Sequence, residues 1–381
     1  MEARDVEAGE LPRVTRMSRF VRLLVRIHFL PVVVARDGQS ATFTLWSLRG
    51  LASLSIYYIS CILLFLLASI FFSFTLSDQH AQTLVSMNLT DLLSNVGYQL
   101  STFFTVPALP LILGRAVSLA PRVALSPALT WPRRGHQVIA CEVVCAIGYA
   151  LGYLTSYLHF ASDNLTSLYA ILFFLSLGPA SFILGFCVLS GQLLLASWLD
   201  HVGDMVEEDL NPALLADNLN NCLKEYQNLD SALGFFFLFN FTVHQFTWIF
   251  CLYCSLSGLI HSDSATVERM YGGPVLLGLQ SLGMLLLSCC LCWHLLHMTS
   301  GVEQLRERFH QRGKAVLEEA AGLEEGGRVV RVGQQLTRVD HLTALGYFPI
   351  SRATLRGMAS AAVTYLIILI QFKSGNPVTP K

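Results

Sequence analysis

Uncharged residues gather along this chain into seven long blocks, with most of the charged residues falling between them. Most blocks are near or above the ~20 residues with which a helix crosses a bilayer. They place helices within residues 50–76, 92–114, about 137–161, 164–199, 231–260, 270–302 and about 353–372. None shows the strict alternation of a membrane barrel, and only helices and closed barrels satisfy every backbone group in lipid. The predicted fold class is therefore an all-α membrane protein with seven transmembrane helices.

Composition agrees. The 381 residues are 53% hydrophobic and 13% charged, about half the ~25% charged fraction of soluble domains. An ordinary cytosolic enzyme is excluded. The net charge of −1 gives no reason to expect a nucleic-acid partner. The distribution of Lys and Arg is informative: 22 of the 25 lie in segments 1–49, 115–134, 200–230 and 301–356. Only Arg269, Lys373 and Lys381 lie on the other side. Positive loops stay inside, so the amino terminus is expected in the cytoplasm and, after seven crossings, the carboxyl terminus outside. This is the reverse of a G-protein-coupled receptor.

The chain then divides into a cytoplasmic segment 1–49, helices one to six with their cytoplasmic extensions over 50–352, a seventh helix over 353–372 and an extracellular tail 373–381. The sequons at Asn88 and Asn164 fall outside in this topology, whereas the one at Asn240 falls inside the fifth helix. No cysteine lies in an extracellular loop, so no structural disulfide is implied. No cleavable signal peptide is visible.

Three cytoplasmic elements stand out. Arg19, Arg22 and Arg26 against Phe20, Leu23, Leu24 and Ile27 describe an interfacial helix on the inner leaflet. Leu215, Leu219, Cys222, Tyr226, Leu229 and Leu233 form an a/d seam on a helix continuing into the fifth span. Its partner lies either in the same chain or in another subunit. Segment 301–352 reads as two amphipathic helices around a glycine-rich turn at 322–327.

On the seventh helix, Ser360, Thr364, Ile367 or Ile368, and Gln371 fall at i, i+4, i+7 or i+8, and i+11. This weakly polar stripe fits a pore lining and equally a hydrogen-bonded packing face. The helix ends in Thr364-Tyr365-Leu366-Ile367-Ile368-Leu369-Ile370-Gln371-Phe372. That run matches the Thr-Tyr, five hydrophobics, Gln-Phe signature of the arthropod gustatory receptor family. The preceding Ala344-Leu345-Gly346-Tyr347-Phe348, with Ile350 and Leu355, also resembles that family's entry into its last helix. The resemblance covers about 30 residues at the carboxyl end; helix count, orientation and length fit it.

This resemblance implies a plasma-membrane receptor that is itself a ligand-gated, non-selective cation channel. Four such subunits, identical or related, would each give the seventh helix to a central pore. Ser360, Thr364, Ile368, Gln371 and Phe372 would line or gate it. The family's ligand site lies in the outer half of the bundle, where depth selects Tyr98, Tyr153, Tyr157, His244, Trp248 and Gln280 as candidates. Aromatic walls with neutral hydrogen-bonding groups suit a tastant such as a sugar or a planar bitter compound. Any one of them can instead be a packing residue.

The alternatives are an odorant-receptor-like channel, set apart by the Thr364–Phe372 run, and a seven-helix hydrolase of the adiponectin-receptor type. The latter needs zinc-binding His on its last helix, where this chain has none. No enzyme activity and no cofactor are expected. Cys289, Cys290, Cys292, His294 and His297 crowd one helix but point in different directions, and Cys141, Cys145, Cys251 and Cys254 read as small hydrophobes, so no metal site is expected.

Overall fold

A computed structural model describes residues 16–26, 32–34, 41–43, 111–118, 131–160, 164–208, 212–260, 274–320 and 327–374. These form eight helices and one two-stranded ribbon. In chain order they are α1 (Arg16–Arg26), β1 (Val32–Val34), β2 (Ala41–Phe43), α2 (111–118), α3 (Gly135–Phe160), α4 (Asn164–Glu207), α5 (Pro212–Ile260), α6 (Pro274–Ala320), α7 (Gly327–Leu336) and α8 (Arg352–Ser374). The fold is predominantly helical, as the blocks predict. Predicted helices three to seven correspond to α3, α4, α5, α6 and α8. The first two lie outside the described residues, apart from 111–114 at the start of α2. By length and composition, α5 and α6 carry stretches able to cross a membrane, within Leu215–Tyr253 and Pro274–Glu319.

Both α5 and α6 open on proline, whose missing N–H is no loss in a first turn. At 49 residues, α5 is about 74 Å long, against about 30 Å of hydrocarbon. Each long helix thus extends well beyond a bilayer. On the extension of α5 the predicted seam is real: Leu215, Leu219, Cys222, Tyr226, Leu229 and Leu233 are all buried. Its partner is the same chain. Tyr226 packs edge-on against Phe309 of α6 at 5.2 Å, and its hydroxyl donates to the Asp340 carbonyl oxygen at 2.8 Å. Trp198, Phe236, Phe237, Phe241 and Phe309 fill the centre of the main core, drawn from α4, α5 and α6.

Two details differ from the sequence reading. β1 and β2 pair antiparallel, with Val33 opposite Thr42, inside a segment for which only a helix was expected. Short β-branched runs this small carry too little periodicity to register. In α1, Val21, Leu24 and Val25 are the buried positions, while Leu23 is exposed. Phe20 packs edge-on against Trp131 at 6.4 Å and Phe186 at 6.3 Å. The apolar face of α1 therefore covers protein, a partner that the interfacial reading did not supply.

Outward-facing apolar side chains occur where lipid would be met: Ile139, Val143, Val144 and Ile147 on α3, and Val275, Leu282 and Leu285 on α6. The inner side of α3 comes very near α6. A Cβ on Gly148 would stand 2.9 Å from the Gly283 carbonyl oxygen, an approach that only a residue without a side chain permits. Asn240 is buried and donates to the Phe236 carbonyl oxygen at 2.9 Å, as a position closed to glycosylation should be.

Candidate functional site

The seventh predicted helix is entered through an irregular loop, residues 337–351. The loop is closed by its own backbone: the Ile350 N–H donates to the Leu342 carbonyl oxygen at 2.8 Å, and the Ala344 N–H to that of Phe348 at 3.0 Å. Leu345 and Gly346 both take positive φ, +54° and +75°. For leucine the left-handed region costs about 1–2 kcal/mol, and the surroundings hold it there. Gly234 of α5 leaves the room, since a Cβ on it would lie 3.2 Å from the Leu345 nitrogen.

Side chains from α5 and α6 fasten the loop. Asp230 of α5 accepts from the Thr343 N–H at 2.6 Å and from its hydroxyl at 3.3 Å. Arg306 of α6 donates to the Val339 carbonyl oxygen at 3.3 Å and to His341 Nε2 at 2.6 Å. An arginine can only donate, so His341 accepts and is neutral. Burial lowers its pKa from the usual value, and the Arg306 charge lowers it further, against smaller opposing effects from Glu303 and Asp340.

Ser351 is the N-cap of α8. Its hydroxyl accepts from the Thr354 N–H at 3.1 Å, and its carbonyl accepts the Leu355 N–H at 3.1 Å. Glu303 of α6 takes the Arg352 N–H at 2.7 Å and the Arg352 guanidinium at 2.9 Å. The start of α8 is thereby bound to α6 by a carboxylate where the helix dipole favours one. Farther along, Gln245 of α5 donates to the Met358 carbonyl oxygen at 2.7 Å.

α8 has two faces. Leu355, Ala362 and Leu366 are buried, whereas Ser360, Thr364, Ile368 and Gln371 are exposed. At about 100° per residue, the two lines lie roughly 180° apart. The Thr364 hydroxyl donates to the Ser360 carbonyl oxygen at 3.0 Å, so part of the stripe's polarity is satisfied within the helix. The Phe372 side chain lies outside the described residues.

The ligand candidates fare differently. Tyr98 lies outside the described residues, and Tyr153 and Tyr157 are described only as backbone of α3. His244 is buried, its Nδ1 donating to the Asn240 carbonyl oxygen at 2.9 Å. It packs edge-on against His294 of α6, 6.1 Å between ring centres. Trp248 and Gln280 are half-buried. Gln280 is not level with His244: Ser255 of α5 bonds the Ser281 carbonyl at 3.3 Å, and Ser255 stands about 16 Å beyond His244 along the helix. The Gly148–Gly283 approach instead sets Gln280 near the level of Tyr153. Among the described residues, a groove of about 380 Å³ is lined by Ala216, Asn220, Arg328, Arg331, Val332 and Gln335. It belongs to the extensions of α5 and α7, away from all six candidates.

Cys141 and Cys145 of α3 meet His294 of α6 in one buried group, a juxtaposition that neither helix shows alone. Glu142 supplies a neighbouring carboxylate, its Oε1 3.0 Å from His294 Nε2. Asp230, Arg306 and Glu303 carry no local sequence signal. Ser351 before an apolar run carried a capping signal; the other three depend on tertiary partners.

Residues 333–376 match the family model described as 7tm Chemosensory receptor. The matched segment holds the end of α7, the loop, the Ser351 cap and all of α8. No curated protein matches. Among solved structures, the insect olfactory receptor OR5 from Machilis hrabei in complex with eugenol is similar over 93% of this chain and 97% of that chain, at 15% identity and a TM-score of 0.49. A second structure of the same receptor is similar over 93% and 99%, at 13% identity and a TM-score of 0.46.

Proposed function

We propose that this chain, which carries in residues 333–376 the signature of the insect-type chemosensory receptors, is a gustatory receptor acting as a ligand-gated, weakly selective cation channel. The observation that carries the reading is the division of α8 into a face docked on α5 and α6 and an opposite face bearing Ser360, Thr364, Ile368 and Gln371. A weakly polar stripe is poorly placed against lipid. Four copies around an axis, identical or from related receptors, would turn these stripes toward one another and form a pore. Phe372 and Gln371, near the carboxyl end, would then form its narrowest part. A ring of apolar side chains blocks ions by dewetting, and a twist that substitutes an amide restores the water.

In this reading the ligand is a small tastant bound in the outer bundle, with Tyr98, Tyr153, Tyr157 and Gln280 as first candidates and Trp248 at the deeper edge. His244, packed on His294, contributes to the wall's support. Binding shifts a closed–open equilibrium by the ligand's differential affinity for the open state. The Thr364–Phe372 run favours a gustatory over an odorant receptor. No catalytic role is assigned to any residue, and the site of action is the plasma membrane.

The deciding experiment expresses the chain alone, and with a related receptor, in cells whose G-protein signalling is blocked. Cation current evoked by a panel of sugars and bitter compounds is expected to persist under the block, with little discrimination among monovalent cations. Current that disappears with the block would falsify the channel reading.

A further inference from the structure

Two one-turn pairs face each other across the contact between α3 and α6. Cys141 and Cys145 sit at i and i+4 on α3, and Cys290 and His294 repeat that spacing on α6. The Gly148–Gly283 approach draws the two helices close and sets both pairs at one level. The sulfurs of Cys141 and Cys145 and a ring nitrogen of His294 lie within 4.8 Å of one another. Cys290 adjoins them on α6, where the Cys141 thiol reaches its carbonyl oxygen at 3.7 Å. Leu287, Leu291, Cys251 and Met284 surround the group, apart from the main core.

His294 is the telling member. Its side chain is 1% exposed, and neither ring nitrogen has a hydrogen-bond partner among the described residues. Nε2 stands 3.0 Å from Glu142 Oε1, yet the two are not aligned as a hydrogen bond, and that oxygen is likewise unsatisfied. A buried polar group left in this state is costly. An unsatisfied imidazole held beside two thiols is what an ion site presents. In a tetrahedral site with Zn–S near 2.3 Å, neighbouring sulfurs stand about 3.8 Å apart, so the three atoms within 4.8 Å of one another close by at most about 1 Å, and the fourth ligand needs the Cys290 thiol turned toward them.

We propose that Cys141, Cys145, Cys290 and His294 form a tetrahedral site for a thiophilic d¹⁰ metal ion, Zn²⁺ or Cu⁺, that clasps α3 to α6 inside the helix bundle. Three sulfurs and one imidazole suit these soft ions and exclude Mg²⁺ and Ca²⁺, which take oxygen ligands. Coordination converts the ligating thiols to thiolates, and their protons leave to solvent. Glu142 is close enough to fix the ring's tautomer, the service that an acidic neighbour renders a metal-bound histidine. Four protein ligands leave no open position, so the role is structural. The inference does not depend on the channel reading.

The test uses the full chain purified in detergent with an affinity tag free of histidine. Elemental analysis after loading with Zn²⁺ and desalting is expected to find about one zinc per chain, with copper in its place equally supportive. Cys145→Ser and His294→Gln should each retain less than about a tenth of the metal, while Cys289→Ser, whose side chain is exposed, retains it. Should a variant fail to fold, Co²⁺ added to the parent protein decides the matter. A tetrahedral thiolate site gives intense visible bands and a sulfur-to-cobalt charge-transfer band in the near ultraviolet. Their absence, a parent protein that holds no metal, or a mass showing a disulfide among these cysteines overturns the proposal.

Discussion

The Asp230 carboxylate accepts the Thr343 N–H at 2.6 Å, pinning the loop that leads into α8 to the middle of α5. A hydrogen bond to a charged acceptor contributes about 2 kcal/mol. Asp230→Ala is therefore expected to speed amide exchange in residues 342–350 by roughly 30-fold, whereas Asp230→Asn, which keeps an acceptor oxygen, loses much less. Hydrogen exchange of the purified protein measures the contrast. Equal exchange in both variants and the parent would show that the loop is held without Asp230.

Loss of the Ser351 cap should act on α8 alone. Ser351→Ala removes one acceptor from the first turn, at a cost of about 1 kcal/mol, and Ser351→Asp should restore it. Exchange at Thr354 and its neighbours reports the result, with the rest of the chain as internal control. A variant whose first turn is as protected as the parent's would assign the capping to Glu303.

Acidity should loosen the same region through His341. Its neutral form accepts from Arg306, and its pKa lies below the ordinary value. The folded protein then binds fewer protons than the unfolded chain. Its contribution to stability is complete above the unfolded value of about 6.5 and is lost as the pH falls through the lower folded value. Glu303 and Asp340 oppose this shift, and His310 adds to it. His341→Gln retains an acceptor for Arg306 and should flatten the pH dependence of loop exchange between pH 7 and 5. A slope unchanged by the substitution would place the sensor elsewhere.

The carboxyl end of α8 should control conduction. Phe372→Ala is expected to raise basal current, and Gln371→Ala to alter gating or permeation without reducing delivery to the cell surface. Surface labelling and current are recorded on the same cells. Parent-like basal current, ligand response and selectivity in both variants would remove the gate from this helix.

Topology is open to a simpler assay. A tag after Lys381 should be labelled on intact cells, and one before Glu2 only after permeabilisation. The opposite pattern would invert the assignment and with it the direction in which α8 runs.

Legibility followed the range of the interaction. The seam from Leu215 to Leu233 could be read because a single helix writes its own period, and the burial of every member bears that out. The Thr364–Phe372 run was readable as a local string, and its segment is the one that the chemosensory family model matches. Asp230 is different: it looks like any polar residue on a helix until Thr343, far along the chain, comes to it. The meeting of the thiols across two helices is hidden for the same reason. Cys290 and His294 make a poor set alone, and nothing on α6 announces that Cys141 and Cys145 of α3 stand opposite. Periodicity on one element reveals which face is buried, but not what it is buried against.

Because seam and span lie on one unbroken α5, the two are locked in phase. Adding a single residue between Leu229 and Leu233 would turn everything beyond it by about 100° and shift it by 1.5 Å. Tyr226 would keep its place against Phe309 while Gln245 swung away from α8. Seven residues make nearly two whole turns and would restore the angle to within about 20°, at the expense of some 10 Å of length. Chains of this architecture should therefore vary in length at the ends of their long helices, and hardly at all within them.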